Sequence, residues 1–183
     1  ETANPWTGLA PAGQDRRTPY RRLGLDELRA LAARAREAGD EEHLLVLLGY
    51  YTGMRIADAA TLDAGAYAAR KGTLTLVPAK TAKRKPAPIV IPVMAELAEA
   101  MERAPREGPL MPRICVQQSG RGDELSKRMA RMIREAGEGD TQAGKASFHS
   151  LRATFISMMD EAGAPQAVTD SITGHAPQTM HAR

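Results

Sequence analysis

A chain of 183 residues, 43% hydrophobic and 26% charged, can bury one core, and its single cysteine, Cys115, excludes an internal disulfide framework and suits a reducing, cytoplasmic setting. No run approaches the roughly 18 apolar residues of a membrane span, no signal-like segment is expected, and four scattered histidines leave a structural zinc site little to build on. The net charge is +3 and the pI about 9.2, so the total says little about a nucleic-acid partner until the charges are placed.

The first 22 residues, "ETANPWTGLAPAGQDRRTPYRR", mix Pro, Gly and charge without periodicity and read as a linker or extended arm, which suggests a chain that begins in mid-protein. From Leu25 the pattern turns helical, "LDELRALAARARE" placing Leu25, Leu28 and Leu31 on one face. "EEHLLVLLGYY" predicts a second helix closed at Gly53, where glycine can take the left-handed C-terminal position, and "MRIADAATL" a short third. "TLTLVP" and "PIVIP", joined by the basic "AKTAKRKPA", predict an antiparallel hairpin with a charged tip. "VMAELAEAMERA" predicts a helix, the stretch to about Gly122 an irregular patch, and "ELSKRMARMIREAG" another helix. "SFHSLRATFISMMDEAG" and "PQAVTDSITG" predict the last two, stopped at Gly163 and Gly174. The sum is an α+β domain, mainly α, with a small antiparallel β-sheet or hairpin.

Placed along this frame, the charge becomes informative. From Ala64 to Ala95 there is no acidic residue, while Arg70, Lys71, Lys80, Lys83, Arg84 and Lys85 fall inside. Lys127, Arg128, Arg131 and Arg134 share one predicted helix, with Lys127, Arg131 and Arg134 on one face and Met129, Met132 and Ile133 more nearly opposite. Such clusters hold phosphate backbones, and they also occur as plain solvated faces.

Four short patterns could carry chemistry. In "KASFHSLRATF", His149 and Arg152 lie three apart on one helical face, and Ser147 is placed to cap that helix. An imidazole and a guanidinium in a first turn, among free N–H groups, can grip an anion. In "TGMRIADAATL", Arg55 heads a short helix with Asp58 three residues on to hold it. Lys80 sits at the end of "TLTLVPAK", and His175 follows a glycine stop in "SITGHAPQTM". Each alone fits a capping or surface role as readily as a functional one.

Taken in this order, "TGMRIADAATL", "AKTAK", "HSLRATF" and "TGH" closely resemble the catalytic domain of tyrosine recombinases, the phage integrase family. The resemblance covers about residues 23 to 183, and "NPWTGL" followed by "DELRAL" is similar to the junction with that family's core-binding domain. It implies a linker over 1–22, a catalytic domain over 23–183, and site-specific DNA strand exchange, the integration or excision of a mobile element, through a 3′-phosphotyrosyl intermediate. Arg55 and Arg152 would clamp the non-bridging oxygens of the scissile phosphate, with Asp58 supporting Arg55. Lys80 would protonate the leaving 5′ oxygen, His149 would do acid–base work, and His175 would hydrogen-bond the phosphate. Lys83, Arg84, Lys85, Lys127, Arg128, Arg131 and Arg134 would contact double-stranded DNA.

The implied partners are DNA and three further recombinase subunits in a tetramer on paired sites, with this piece a monomer when alone, in a bacterial or phage cytoplasm. Fixed cations can stabilise the charge of phosphoryl transfer and a covalent intermediate can conserve bond energy. No cofactor or metal is therefore expected, in keeping with the lack of a "GxxxxGK[ST]" loop or a carboxylate cluster. The sequence departs from the family in one important way. The family's nucleophilic tyrosine follows the "GH" histidine, whereas Tyr20, Tyr50, Tyr51 and Tyr67 all precede "HSLRATF". The nucleophile is therefore expected just beyond Arg183, and this piece is expected to be inactive without it. A non-catalytic DNA-binding relative and a type IB topoisomerase-like enzyme are the alternative readings.

Overall fold

The computed structural model describes residues 20–77, 88–120 and 122–173. Helix α1 (Leu25–Ala38) starts after Gly24, whose N–H is accepted by the Glu27 carboxylate at 2.9 Å, and buries Leu31 and Ala35. Helix α2 (Asp40–Thr52) opens with Asp40, Glu41 and Glu42, matching the positive end of its dipole. It then runs through Leu44, Leu45, Val46, Leu47 and Leu48, all buried. A helix apolar on every side belongs at the centre, and α2 packs against α1, α3 (Ile56–Ala60), α4 (Ala95–Glu102), α5 (Pro112–Ser119) and α7 (Phe148–Glu161). It ends at Gly53 with φ +61°, the left-handed stop expected there, the Gly53 N–H donating to Gly49 O at 3.1 Å.

The hairpin forms as expected, and a short strand joins it. Strands β1 (Tyr67–Ala68), β2 (Thr73–Leu76) and β3 (Ile89–Pro92) make an antiparallel sheet in that order, with Leu74 opposite Ile91 and Leu76 opposite Ile89. Alternation turns Leu74, Leu76 and Ile91 inward and leaves Val90 out. The basic tip of the hairpin, with Lys80, Lys83, Arg84 and Lys85, lies outside the described residues. Helix α6 (Glu124–Ala136) follows α5, and α8 (Gln166–Thr173) follows α7 after the stop at Gly163, φ +71°. The architecture is the expected one, mainly helical with a small antiparallel sheet.

Two features were not foreseen from sequence. Helix α5 replaces the irregular patch: Pro112 pre-sets its first turn, and the Glu41 carboxylate of α2 accepts the N–H groups of Arg113 at 3.3 Å and Ile114 at 2.9 Å. Its cap therefore comes from a distant segment. The supposed arm is also partly seated, since Tyr20 to Leu23 run along the domain. Arg21, only 7% exposed, donates from Nε to Gly139 O at 2.7 Å and from both η nitrogens to the Glu27 carboxylate at 2.9 and 2.5 Å.

Between α2 and α7 the approach is close. A Cβ at Gly49 would meet Leu151 Cδ1 and Phe148 Cζ, each at 2.8 Å, and one at Gly53 would meet Phe155 Cδ1 at 2.7 Å. The two glycines therefore set the spacing that brings the α7 side chains onto the end of α2.

The Arg21 pairing, helped by N–H donors from Gly24 and Glu138, pulls the Glu27 carboxyl down to about 2. A depressed carboxyl adds stability above its unfolded value near 4.5, and that stability drains away as pH falls towards 2. Glu27→Gln should therefore cost about 1–3 kcal/mol in urea unfolding at pH 7 and progressively less below pH 4. An equal loss at both pH values would show that Glu27 is not ionised in this pairing.

Candidate active site

Helix α7 carries the histidine and arginine of "HSLRATF". Ser147 caps it as expected: its Oγ accepts from His149 N at 3.3 Å, and Ser150 Oγ answers by accepting from Ser147 N at 3.1 Å. That places His149 in the first turn, half-buried. One turn on, Arg152 is 8% exposed. A buried guanidinium needs its N–H groups bonded. Arg152 donates from Nη1 to Gly53 O at 2.6 Å and from Nη2 to Thr173 O at 2.5 Å, joining the ends of α2 and α8.

Two residues after Gly53 comes Arg55, in extended conformation at the N-cap of α3. Its Nη1 lies 3.8 Å from Asp58 Oδ2, an ion pair between side chains 24% and 11% exposed. The two boxes, far apart in sequence, meet here. Burial first, and then the charge of Arg55, pulls the Arg152 guanidinium down to about 10, with Asp58 acting in the opposite sense. His149 is likewise lowered, by burial first and then by Arg152 and Arg55. A neutral imidazole beside two guanidiniums can accept a proton at neutral pH while the arginines hold an anion.

A cleft of about 340 Å³ opens beside this cluster, lined among others by Tyr20, Lys127, Arg134, Lys145 and His149. Lys127 and Arg134 lie on the exposed side of α6, with Arg131, while Met129 and Ile133 are buried on the other. The basic face thus leads to the histidine. Its charges have acidic neighbours: Lys127 pairs with Asp123 at 2.8 Å, Arg134 with Asp140 at 3.3 Å and Arg131 with Glu135 at 4.0 Å. Such exposed pairs are weak and give way readily to a phosphate.

Arg128 differs. It turns from that face to the Glu42 carboxylate, 1% exposed, at 2.7 Å, and donates to Gln117 at 2.9 Å. Arg113 meets the same carboxylate at 2.6 Å, so Glu42 ties α5 and α6 to α2. A larger hollow, about 390 Å³, lies beside Gln117, Arg128 and Arg131 and holds no residue of the four boxes. The chemistry points to the cleft at His149 instead. Lys80, Lys83, Arg84, Lys85 and His175 lie outside the described residues.

Sequence reasoning missed two residues at the site. Lys145, four before His149, lines the cleft, and Tyr20 stacks on His149 with ring centroids 4.8 Å apart. Lys145 stands at the head of the quoted stretch and carried a signal of charge; Tyr20, in a stretch of linker composition, carried none.

In an NMR titration His149 should protonate below the ordinary histidine value of 6.5. Arg55→Ala should raise its midpoint without restoring it fully, because burial remains. An unchanged midpoint would mean that Arg55 does not face His149.

Known proteins resemble this chain to differing degrees. A curated relative, tyrosine recombinase XerA of Pyrococcus furiosus, is 29% identical over 137 residues, which make up 74% of this chain and 46% of that protein. The chain thus spans about half the length of that relative. Among solved structures, the integrase from mycobacterium phage Brujita matches with a TM-score of 0.66 at 19% identity, over 92% of this chain and 54% of that one. A lambda integrase (75–356) dimer bound to a COC′ core site matches at 0.67 with 17% identity, over 97% and 64%. At these identities the structures speak for the fold alone. The family model described as the phage integrase family matches residues 21–183, which include all four boxes, and to that family the chain belongs.

Proposed function

We propose that this chain is the phosphate-activating part of a site-specific DNA recombinase that integrates or excises a mobile element. The observation that carries the proposal is the meeting of Arg55, at the head of α3, with His149 and Arg152 of α7, beside a cleft that continues onto Lys127 and Arg134. Phosphoryl transfer builds charge on the equatorial oxygens, and donors fixed before reaction stabilise it without reorganising. Arg55 and Arg152 take those oxygens, and neutral His149 accepts the proton of the attacking hydroxyl. Lys80 supplies the proton to the departing 5′ oxygen and His175 adds a hydrogen bond to the phosphate. The nucleophile is a tyrosine placed after Arg183 in the longer protein. Attack joins phosphorus to its oxygen and breaks the P–O5′ bond, and the reverse step by a new 5′ hydroxyl completes the exchange. Four such subunits act on paired sites; one structural neighbour, at 17% identity, is a lambda integrase tetramer bound to a Holliday junction.

The test uses the longer protein with a nicked duplex of its target. An adduct that survives SDS is expected, and Arg152→Ala should slow its formation by about 10²–10³-fold. Binding without an adduct, in a protein that has the tyrosine, would favour a non-catalytic DNA-binding relative. Relaxation of supercoils without sequence preference would favour a topoisomerase.

This chain alone should bind duplex DNA. Arg131→Ala with Arg134→Ala should weaken binding and lower the slope of log K against log salt by about 2. An unchanged slope would remove α6 from the interface.

A further inference from the structure

His149 has its backbone N–H held by Ser147, but among the described residues nothing hydrogen-bonds its ring. The imidazole stacks on Tyr20, with the ring centroids 4.8 Å apart and the planes 18° from parallel. The phenol side is itself fixed. Tyr20 makes a parallel bridge with Lys145, and Arg21 N donates to Lys145 O at 3.1 Å. The Arg21 guanidinium is locked between Glu27 and Gly139, and Leu23 N donates to Thr154 Oγ1 at 2.8 Å. The segment carrying Tyr20 is therefore tied to α1, to the stretch after α6 and to α7 within four residues. A tyrosine has two side-chain torsions, so a fixed backbone leaves its ring few places to go.

We propose that Tyr20 is a positioning residue that sets the plane of the His149 imidazole and aims it into the cleft shared with Lys127, Arg134 and Lys145. Because Tyr20 belongs to the segment that leads into α1, the alignment of the histidine depends on that segment being seated. Its consequence for strand cleavage rests on the function proposed above; the positioning itself does not. Stacking suits this task because it restrains the plane of the ring and leaves both ring nitrogens open to other partners.

The experiment has two parts. In this chain, with histidine ring carbons labelled, the His149 ring protons should show an upfield displacement from the Tyr20 ring current and slow, ordered relaxation. Tyr20→Ala should abolish the displacement and mobilise the ring, while Tyr20→Phe should preserve both and all three proteins melt alike. Unchanged His149 signals in Tyr20→Ala would overturn the proposal, and so would equal mobilisation in Tyr20→Phe. In the longer protein, Tyr20→Ala should slow single-turnover adduct formation on the order of tenfold, with DNA affinity unchanged and Tyr20→Phe restoring the rate. Equal rates in wild type and Tyr20→Ala would overturn the catalytic consequence. A longer protein that forms no adduct at all would count against the recombinase assignment, and the ring signals would still decide whether Tyr20 positions His149.

Discussion

The guanidinium of Arg152 has to be buried and satisfied at once, and much of the domain is arranged around that requirement. A charged group only 8% exposed persists when its N–H groups meet acceptors, and helix C-termini offer carbonyls that lack intrahelical partners. Gly53 O stands just past α2 and Thr173 O at the end of α8, so one side chain answers the needs of two helix ends and links three helices. The negative ends of both dipoles point at the cation. This works only if α7 lies close along α2, which Gly49 and Gly53 permit by having no Cβ where Phe148, Leu151 and Phe155 pack.

That anchoring gives the site its electrostatic character. Arg55 leaves Gly53 two residues later, held by Asp58, so its charge arrives beside Arg152 and His149. Burial first, and then the mutual repulsion of the gathered cations, lowers Arg152 to about 10 and pulls His149 below its ordinary value. The repulsion is held in place by the apolar α2, by the Glu42 clamp on Arg113 and Arg128, and by the Arg21–Glu27 pair. An arriving phosphate would relieve it. A site built in advance for an anion is what catalysis by transition-state charge requires.

Much of this was legible in the residues, and what was missed has a common cause. Local signals held: the Ser147 cap, the Gly53 and Gly163 stops, the hairpin strands and the inward side of α6 all follow from spacing within a few residues. The pairing of Arg55 with Asp58 was legible for the same reason. What failed depends on partners far along the chain. Helix α5 is capped by Glu41 of α2, and Tyr20 is ordered by Lys145 and Arg21. Composition named the first 22 residues a linker, and composition cannot see an arginine that reaches Gly139. The meeting of the two arginine boxes was not derivable from spacing either; it was expected only through the family resemblance.

The most direct test of the account is a crystal structure of this chain with duplex DNA. One backbone phosphate is expected with its non-bridging oxygens about 3 Å from the guanidiniums of both Arg55 and Arg152, with His149 beside it and the duplex running along Lys127 and Arg134. Duplex bound on another face, with no phosphate near Arg152, would contradict it.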